Sequence, residues 1–281
     1  MSRRLIALAA AATLTLAGCG GNGSGNGGTG GATGEGESDL AVVNAGKLTM
    51  CTHMSYPPFE FTDENGDVVG FDVDMARLVA EELGLDTDIE VVDTPFEQIT
   101  SGVVFQAGQC DIALAGTTIT DERANSVYFS DPYFDATQAL MVPAGSDVTD
   151  LSDLQGRTLG VQTDTTGQIY AQQYADRDGY EMVVFDDLPT SLNAVMAGRV
   201  DAVINDNGVL FDFARQNPST QVVNEFDTGE QYGMAAQKND DKGTKIIDAA
   251  NAAIADSKDD GRYDEIYQRW FGDTPSDSPT G

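Results

Sequence analysis

Arg123 carries the most directional chemistry in this sequence. Its planar guanidinium presents a fork of N–H donors that matches a carboxylate. It stands three residues after Thr120, in the first turn of a helix that Thr120 caps. The plainer alternative is a surface arginine pairing with Asp121 or Glu122. Just upstream, Thr118 offers a hydroxyl and an N–H, and the Ala115 carbonyl is free to accept from a cation. Gly116 lets another group approach the backbone closely. Further along, Asp164-Thr165-Thr166-Gly167 opens a helix, where free N–H groups and the helix dipole favour an anion. Any helix start shares that property. Asp206 follows the apolar run Ala202-Val203-Ile204 and is either a site carboxylate or a cap for the next helix. His53 is the only histidine, which limits acid–base chemistry. No Ser-His-Asp set, zinc-ligand spacing or paired-carboxylate motif is present, so catalysis has little support. Asp63-Glu64-Asn65-Gly66-Asp67 is acidic enough to suggest calcium, but the ligand spacing fails. Asn-Gly between short apolar runs reads as a hairpin turn.

The elements that must position these residues alternate short apolar strands with helices, an α/β pattern with parallel sheets. Strands are expected at 48–53, 89–92, 112–115, 137–142, 158–161, 182–185, 202–204 and 234–237. The periodicity predicts helices at 96–105, 165–174, 188–197, 209–216, 244–256 and 264–271. One more helix buries Ala76, Val79, Ala80 and Leu83 on one face, capped by Asp72 and ended at Gly84. No internal repeat is evident.

The chain has 281 residues, enough for two domains and a sizeable core. Its 15 Lys and Arg stand against 46 Asp and Glu, a formal net charge of −31. Such a surface repels phosphate backbones and anionic lipid. A salty habitat is a bland explanation for the acidity. Arg3 and Arg4 precede an uncharged run at 5–17, too short to span a bilayer but suited to a signal peptide over 1–18. The run ends Leu16-Ala17-Gly18-Cys19, which is similar to the bacterial lipobox, so Cys19 is expected to be acylated and to become the new N-terminus. A glycine-rich linker over 19–45 follows, with a root-mean-square reach of roughly 25–30 Å. No later stretch is apolar enough to form a transmembrane helix. Cys51 and Cys110 are the only cysteines in the exported body, where disulfides are permitted, and are expected to pair. The tail at 274–281 is expected to be disordered.

A longer pattern now emerges. The run Asp111-Ile112-Ala113-Leu114-Ala115-Gly116-Thr117-Thr118-Ile119-Thr120-Asp121-Glu122-Arg123, with Phe129-Ser130-Asp131-Pro132-Tyr133, resembles the core motif of family 3 bacterial solute-binding proteins. Tyr56-Pro57-Pro58-Phe59-Glu60-Phe61, Gly70-Phe71-Asp72-Val73-Asp74, Tyr263-Asp264-Glu265-Ile266-Tyr267 and Trp270-Phe271-Gly272 continue it. Among members, the glutamine-binding proteins look nearest. The resemblance implies a two-lobe periplasmic-binding-protein fold of type II, with two crossover strands at the hinge. Lobe 1 is expected from 46–141 plus 235–273 and lobe 2 from 142–234. It implies Arg123 as anchor for an amino-acid carboxylate, with Thr118, Gly116, Thr165 and Thr166 beside it. Asp206 and the Ala115 carbonyl would take the ammonium, and Tyr56 and Phe96 would sandwich the ligand's side chain. His53 stands where basic-amino-acid and glutamine binders carry an aspartate, and Gln162 where glutamine binders carry a lysine. Losing that aspartate is expected to make lysine and arginine bind worse than neutral or acidic side chains. The implied protein is a monomeric, lipid-anchored receptor on the extracytoplasmic face of the cell membrane. It would deliver a glutamine- or glutamate-like amino acid to an ABC permease, with no enzyme activity, cofactor or metal. A ligand sensor, or a dehydratase or lyase on the same fold, is the alternative.

Overall fold

The computed structural model describes residues 40–272. The expected signal segment, Cys19, most of the glycine-rich linker and the tail lie outside the described residues. In chain order the first half comprises β1 (Lys47–Thr52), β2 (Phe61–Thr62), β3 (Val68–Val69), α1 (Phe71–Glu82), β4 (Asp86–Asp93), α2 (Phe96–Thr100), α3 (Val103–Gln106), β5 (Ile112–Ala113), α4 (Asp121–Ser126) and β6 (Val127–Phe129). Then come β7 (Phe134–Pro143), β8 (Thr158–Gln162), α5 (Thr166–Asp178), β9 (Glu181–Phe185), α6 (Leu188–Met196), β10 (Ala202–Asp206) and α7 (Asn207–Gln216). The chain closes with β11 (Thr220–Tyr232), β12 (Ala235–Gln237), α8 (Asp241–Asp260) and α9 (Arg262–Phe271).

Two five-stranded sheets form two α/β lobes. The first has the order β4-β1-β5-β12-β6 and the second β11-β7-β10-β8-β9. β1 lies between two parallel partners and is buried along five of its six residues, which is why it reads as a nearly continuous apolar run. In the second sheet, β8 is parallel to both β9 and β10. β7 and β11 are long antiparallel strands of 10 and 13 residues. Their ends at Phe134 and Tyr232 reach back to the first lobe, where Tyr232 bridges to Thr118. They are the two crossover strands. Rings from both sides pack where they pass: Phe59 lies 4.9 Å edge-on to Phe134, and Phe134 stacks on Tyr232 at 5.4 Å. Such pairs favour one relative placement of rings over others.

Cys51 of β1 and Cys110 are joined by a disulfide, their Cα atoms 5.6 Å apart. β1 and β5 are neighbours in register, which brings the two cysteines together. Residues 40–45, within the expected linker, are tied to this lobe. Val43 N–H donates to the buried Asp111 carboxylate at 2.9 Å, and Lys242 reaches the same carboxylate at 2.6 Å. No helix among the described residues is long and apolar enough to cross a membrane.

Four local expectations need correction. The stretch 96–105 is not one helix but two, α2 and α3, because the chain turns at Gly102 with φ +76°. The strand expected at 112–115 stops at Ala113, and the chain bends away at Gly116 with φ +51°. Asp72 does not cap α1. Gly70 occupies that position, where any Cβ would lie 1.9 Å from the Phe59 carbonyl oxygen, and Asp72 is turned inward. The sequence pattern places no strand at 220–232, where the second crossover strand β11 lies, because its half-exposed, polar sequence lacks an apolar run. The hairpin reading of 63–67 agrees with β2 pairing β3, the Asp63 carboxylate accepting from the Asn65 and Asp67 N–H groups.

Candidate ligand-binding site

The eleven residues singled out for ligand contact come from six separate segments, and all line one cavity of about 340 Å³. His53 and Tyr56 follow β1, and Phe96 begins α2. Ala115, Gly116 and Thr118 lie in the turn after β5, and Arg123 is in α4. Gln162 ends β8, Thr165 and Thr166 start α5, and Asp206 ends β10.

Arg123 is only 8% exposed. Thr120 caps α4 by accepting from the Arg123 N–H at 3.2 Å, as the spacing predicts. The guanidinium lies 5.1 Å from the centre of the Phe96 ring, a cation–π arrangement. It donates to the Thr118 carbonyl at 2.9 Å and, across the lobes, to the Asp164 carbonyl at 2.8 Å. Neither Asp121 nor Glu122 pairs with it, and among the described residues no carboxylate lies within ion-pair distance of it. Burial disfavours its charged form and moves its pKa down, against the pull of Asp206, Glu230 and Asp164.

Asp206 is the opposite charge on the same cavity. Although it precedes α7, its side chain makes no capping bond. It accepts instead from Gln138 Nε2 and from the hydroxyls of Tyr56, at 2.9 Å, and Tyr232. Burial, then the nearby Glu230, push its pKa up to about 6. Gly116 makes room here, since a Cβ at that position would lie 2.9 Å from Tyr56 Cε1.

α5 starts at the cavity wall, which Thr165 and Thr166 line, with Thr165 as cap accepting from the Gln168 N–H at 3.1 Å; a helix N-terminus favours an anion. At the other end, His53 Nδ1 lies 3.0 Å from the Thr94 carbonyl oxygen. A carbonyl only accepts, so Nδ1 carries a proton, and the uncharged form of the ring then has Nε2 as its acceptor. That Nε2 is buried without a partner, as is Gln162 Oε1.

Sequence reasoning missed Glu60, which also lines the cavity. It is fully buried beside Asp72 and Thr52, and neither carboxyl oxygen reaches a donor at full hydrogen-bond geometry. Burial, then Asp72, hold its pKa well above the carboxylate range. Its only signal in the sequence is an acid between two phenylalanines. Asp72 lies beneath the site, accepting from the Gly116 N–H at 2.9 Å and the Tyr133 hydroxyl at 2.7 Å, and burial raises its pKa to about 6. Gln138, Glu230 and Tyr232, on the crossover strands, were also missed.

The family model for bacterial extracellular solute-binding proteins, family 3, matches residues 48–273. The chain belongs to this family. A probable histidine-binding protein of Neisseria gonorrhoeae is 32% identical to this solute-binding protein over 234 residues, covering 81% of this chain and 84% of the relative. The glutamine-binding protein GlnH of an ABC transporter in Bacillus subtilis is 32% identical over 218 residues, covering 76% of each. Among solved structures, an ancestral arginine-binding protein, seen bound to arginine and to glutamine, shares 39% identity with a TM-score of 0.75. The match covers 81% of this chain and 99% of that one. An ancestral amino-acid-binding protein, a precursor of cyclohexadienyl dehydratase, shares 32% identity with a TM-score of 0.70, covering 80% of this chain and 95% of that one.

Proposed function

We propose that the cavity binds one free amino acid and that this solute-binding protein captures it outside the cytoplasm for an ABC permease. The observation that carries the reading is Arg123, a buried guanidinium without a carboxylate partner, lining the same cavity as the buried Asp206. A free amino acid brings a carboxylate for the first and an ammonium for the second. Burying either charge of the ligand unpaired is costly, so a site supplying both partners selects zwitterions. The side-chain end supports a polar ligand. Gln162 Oε1 is an acceptor without a partner, and so is His53 Nε2 in the uncharged ring, which suits a side chain that donates, as the glutamine amide does. Arginine is the second reading, favoured by Glu60, because a buried carboxyl on the cavity wall could pair with a guanidinium.

A thermal-shift screen of the twenty amino acids, followed by calorimetry of the hits, tests both. A ligand at 100 times its Kd should stabilise the protein by about 2.7 kcal/mol. Glutamine is expected to bind most tightly. Arginine in first place would replace that reading with the second, and no shift from any amino acid would remove the amino-acid reading altogether. The proposal includes anchoring through an acylated Cys19, for which the lipobox resemblance is the support. Intact-mass measurement of native protein should show cleavage before Cys19 plus lipid, and an unmodified Cys19 would end that part.

A further inference from the structure

Glu230 does not line the cavity, yet its carboxylate is bonded to two residues that do. Its Oε2 accepts from the Thr118 hydroxyl at 2.8 Å and from the Thr166 hydroxyl at 2.6 Å. Its Oε1 accepts from Gln138 Nε2 at 3.1 Å, the same nitrogen that donates to Asp206 and reaches Thr166 Oγ1 at 3.3 Å. The backbone is shaped for this. Between Phe226 and Glu230 the register of β11 against β7 slips, and Gly229 takes φ +62°. Irregularities of this kind re-aim a side chain relative to a regular strand. A threonine hydroxyl has one proton, and an ionised carboxylate only accepts. Both threonine protons are therefore spent on Glu230, and what the two oxygens have left is lone pairs.

We propose that Glu230 sets the polarity of the Thr118 and Thr166 hydroxyls, so that with Asp206 they form a subsite for the ligand's ammonium and not for its carboxylate. This rests on the amino-acid reading above and revises the expectation that the Thr118 hydroxyl donates to the ligand. The carboxylate is left to Arg123 and the first N–H groups of α5. Thr118 lies in the first lobe and Thr166 in the second, so the polarity is complete only when the lobes meet. Glu230 acts here as a positioning residue, through the two threonines.

Glu230→Gln tests this, because it keeps the shape and puts an amide donor where two donors already converge. Calorimetry would use L-glutamine and L-arginine, each with its des-amino counterpart, 4-carbamoylbutanoate and 5-guanidinopentanoate. Glu230→Gln is expected to weaken the preferred amino acid at least tenfold and to leave the matching des-amino acid unchanged or improved. The effect should largely vanish in a Thr118→Val, Thr166→Val background. An equal loss for both ligands, or no loss, would overturn the proposal, since a purely structural role moves both together. Should Glu230→Gln fail to fold, the double valine variant carries the test, with the same loss of preference for the ammonium-bearing ligand expected. A wild type that binds neither amino acid would show a different failure, that of the amino-acid reading, and the subsite would go with it.

Discussion

At Arg123 and Asp206, burial raises the cost of charge and so defines what the site accepts. Asp206 titrates at about 6 against an ordinary 3.8, so keeping it ionised at neutral pH costs the folded protein about 3 kcal/mol. A ligand ammonium needs that charge. Affinity for an amino acid with a neutral side chain is therefore expected to hold above pH 6 and to fall below it by up to about tenfold per pH unit. Calorimetry from pH 5 to pH 8 checks this, and a flat profile would contradict it. The stability of the ligand-free protein runs the other way. A carboxyl whose pKa rises on folding binds more protons in the native state than in the unfolded one. Its contribution is complete near pH 4 and is lost as pH rises to about 6. Asp206→Asn should weaken amino-acid binding while raising the ligand-free melting temperature at pH 8 relative to wild type. Arg123→Ala should weaken binding at least tenfold, since hydrogen bonds to charged groups contribute about 1.5–3 kcal/mol. Arg123→Lys keeps the charge, loses the fork and should also weaken binding.

At the scale of elements, the first lobe depends on β1. It joins β4 and β5 and carries the disulfide to Cys110, and the chain that follows it supplies His53 and Tyr56 to the cavity. The bond spans 59 positions in sequence, for which loop-closure entropy gives a stabilisation of about 4 kcal/mol. Reduction should lower the denaturant midpoint accordingly. Thiol titration of denatured, unreduced protein lacking Cys19 should find no free thiol, and two would refute the bond. α2 shows why this element level matters for the site. Ending the helix at Thr100 and turning at Gly102 leaves Phe96 near the cavity, stacked on Arg123, while Ile99 packs into the lobe's core.

Across the whole molecule, the lobes touch through the cavity's own polar groups. Arg123 reaches the Asp164 carbonyl, Tyr56 reaches Asp206, and Glu230 gathers Thr118 and Thr166. A ligand touching both lobes would bind an arrangement in which they meet better than one in which they part, and would shift the population toward closure. Solution scattering is expected to show a smaller radius of gyration with the bound amino acid than without it. Arg123→Ala at the same ligand concentration should stay near the ligand-free value. An unchanged radius in wild type under saturating ligand would remove closure as the mechanism.

The sequence by itself determined which groups were available to the site. A guanidinium three residues after a capping threonine, an aspartate at the end of an apolar strand and a helix opening on two threonines are local signals, and local turns and caps place them. The strand-and-helix alternation was legible for the same reason, because burial of one face imposes a period on the chain. Tertiary structure alone decided which donors and acceptors remained free. Glu60 reads as an ordinary acid until β1 and α1 close over it. Glu230 sits on a polar strand with no apolar period, and its meaning comes from Thr118 and Thr166, 112 and 64 residues away in the chain. Sequence names the donor and acceptor types, whereas the direction of a hydroxyl proton depends on which acceptor the fold brings beside it.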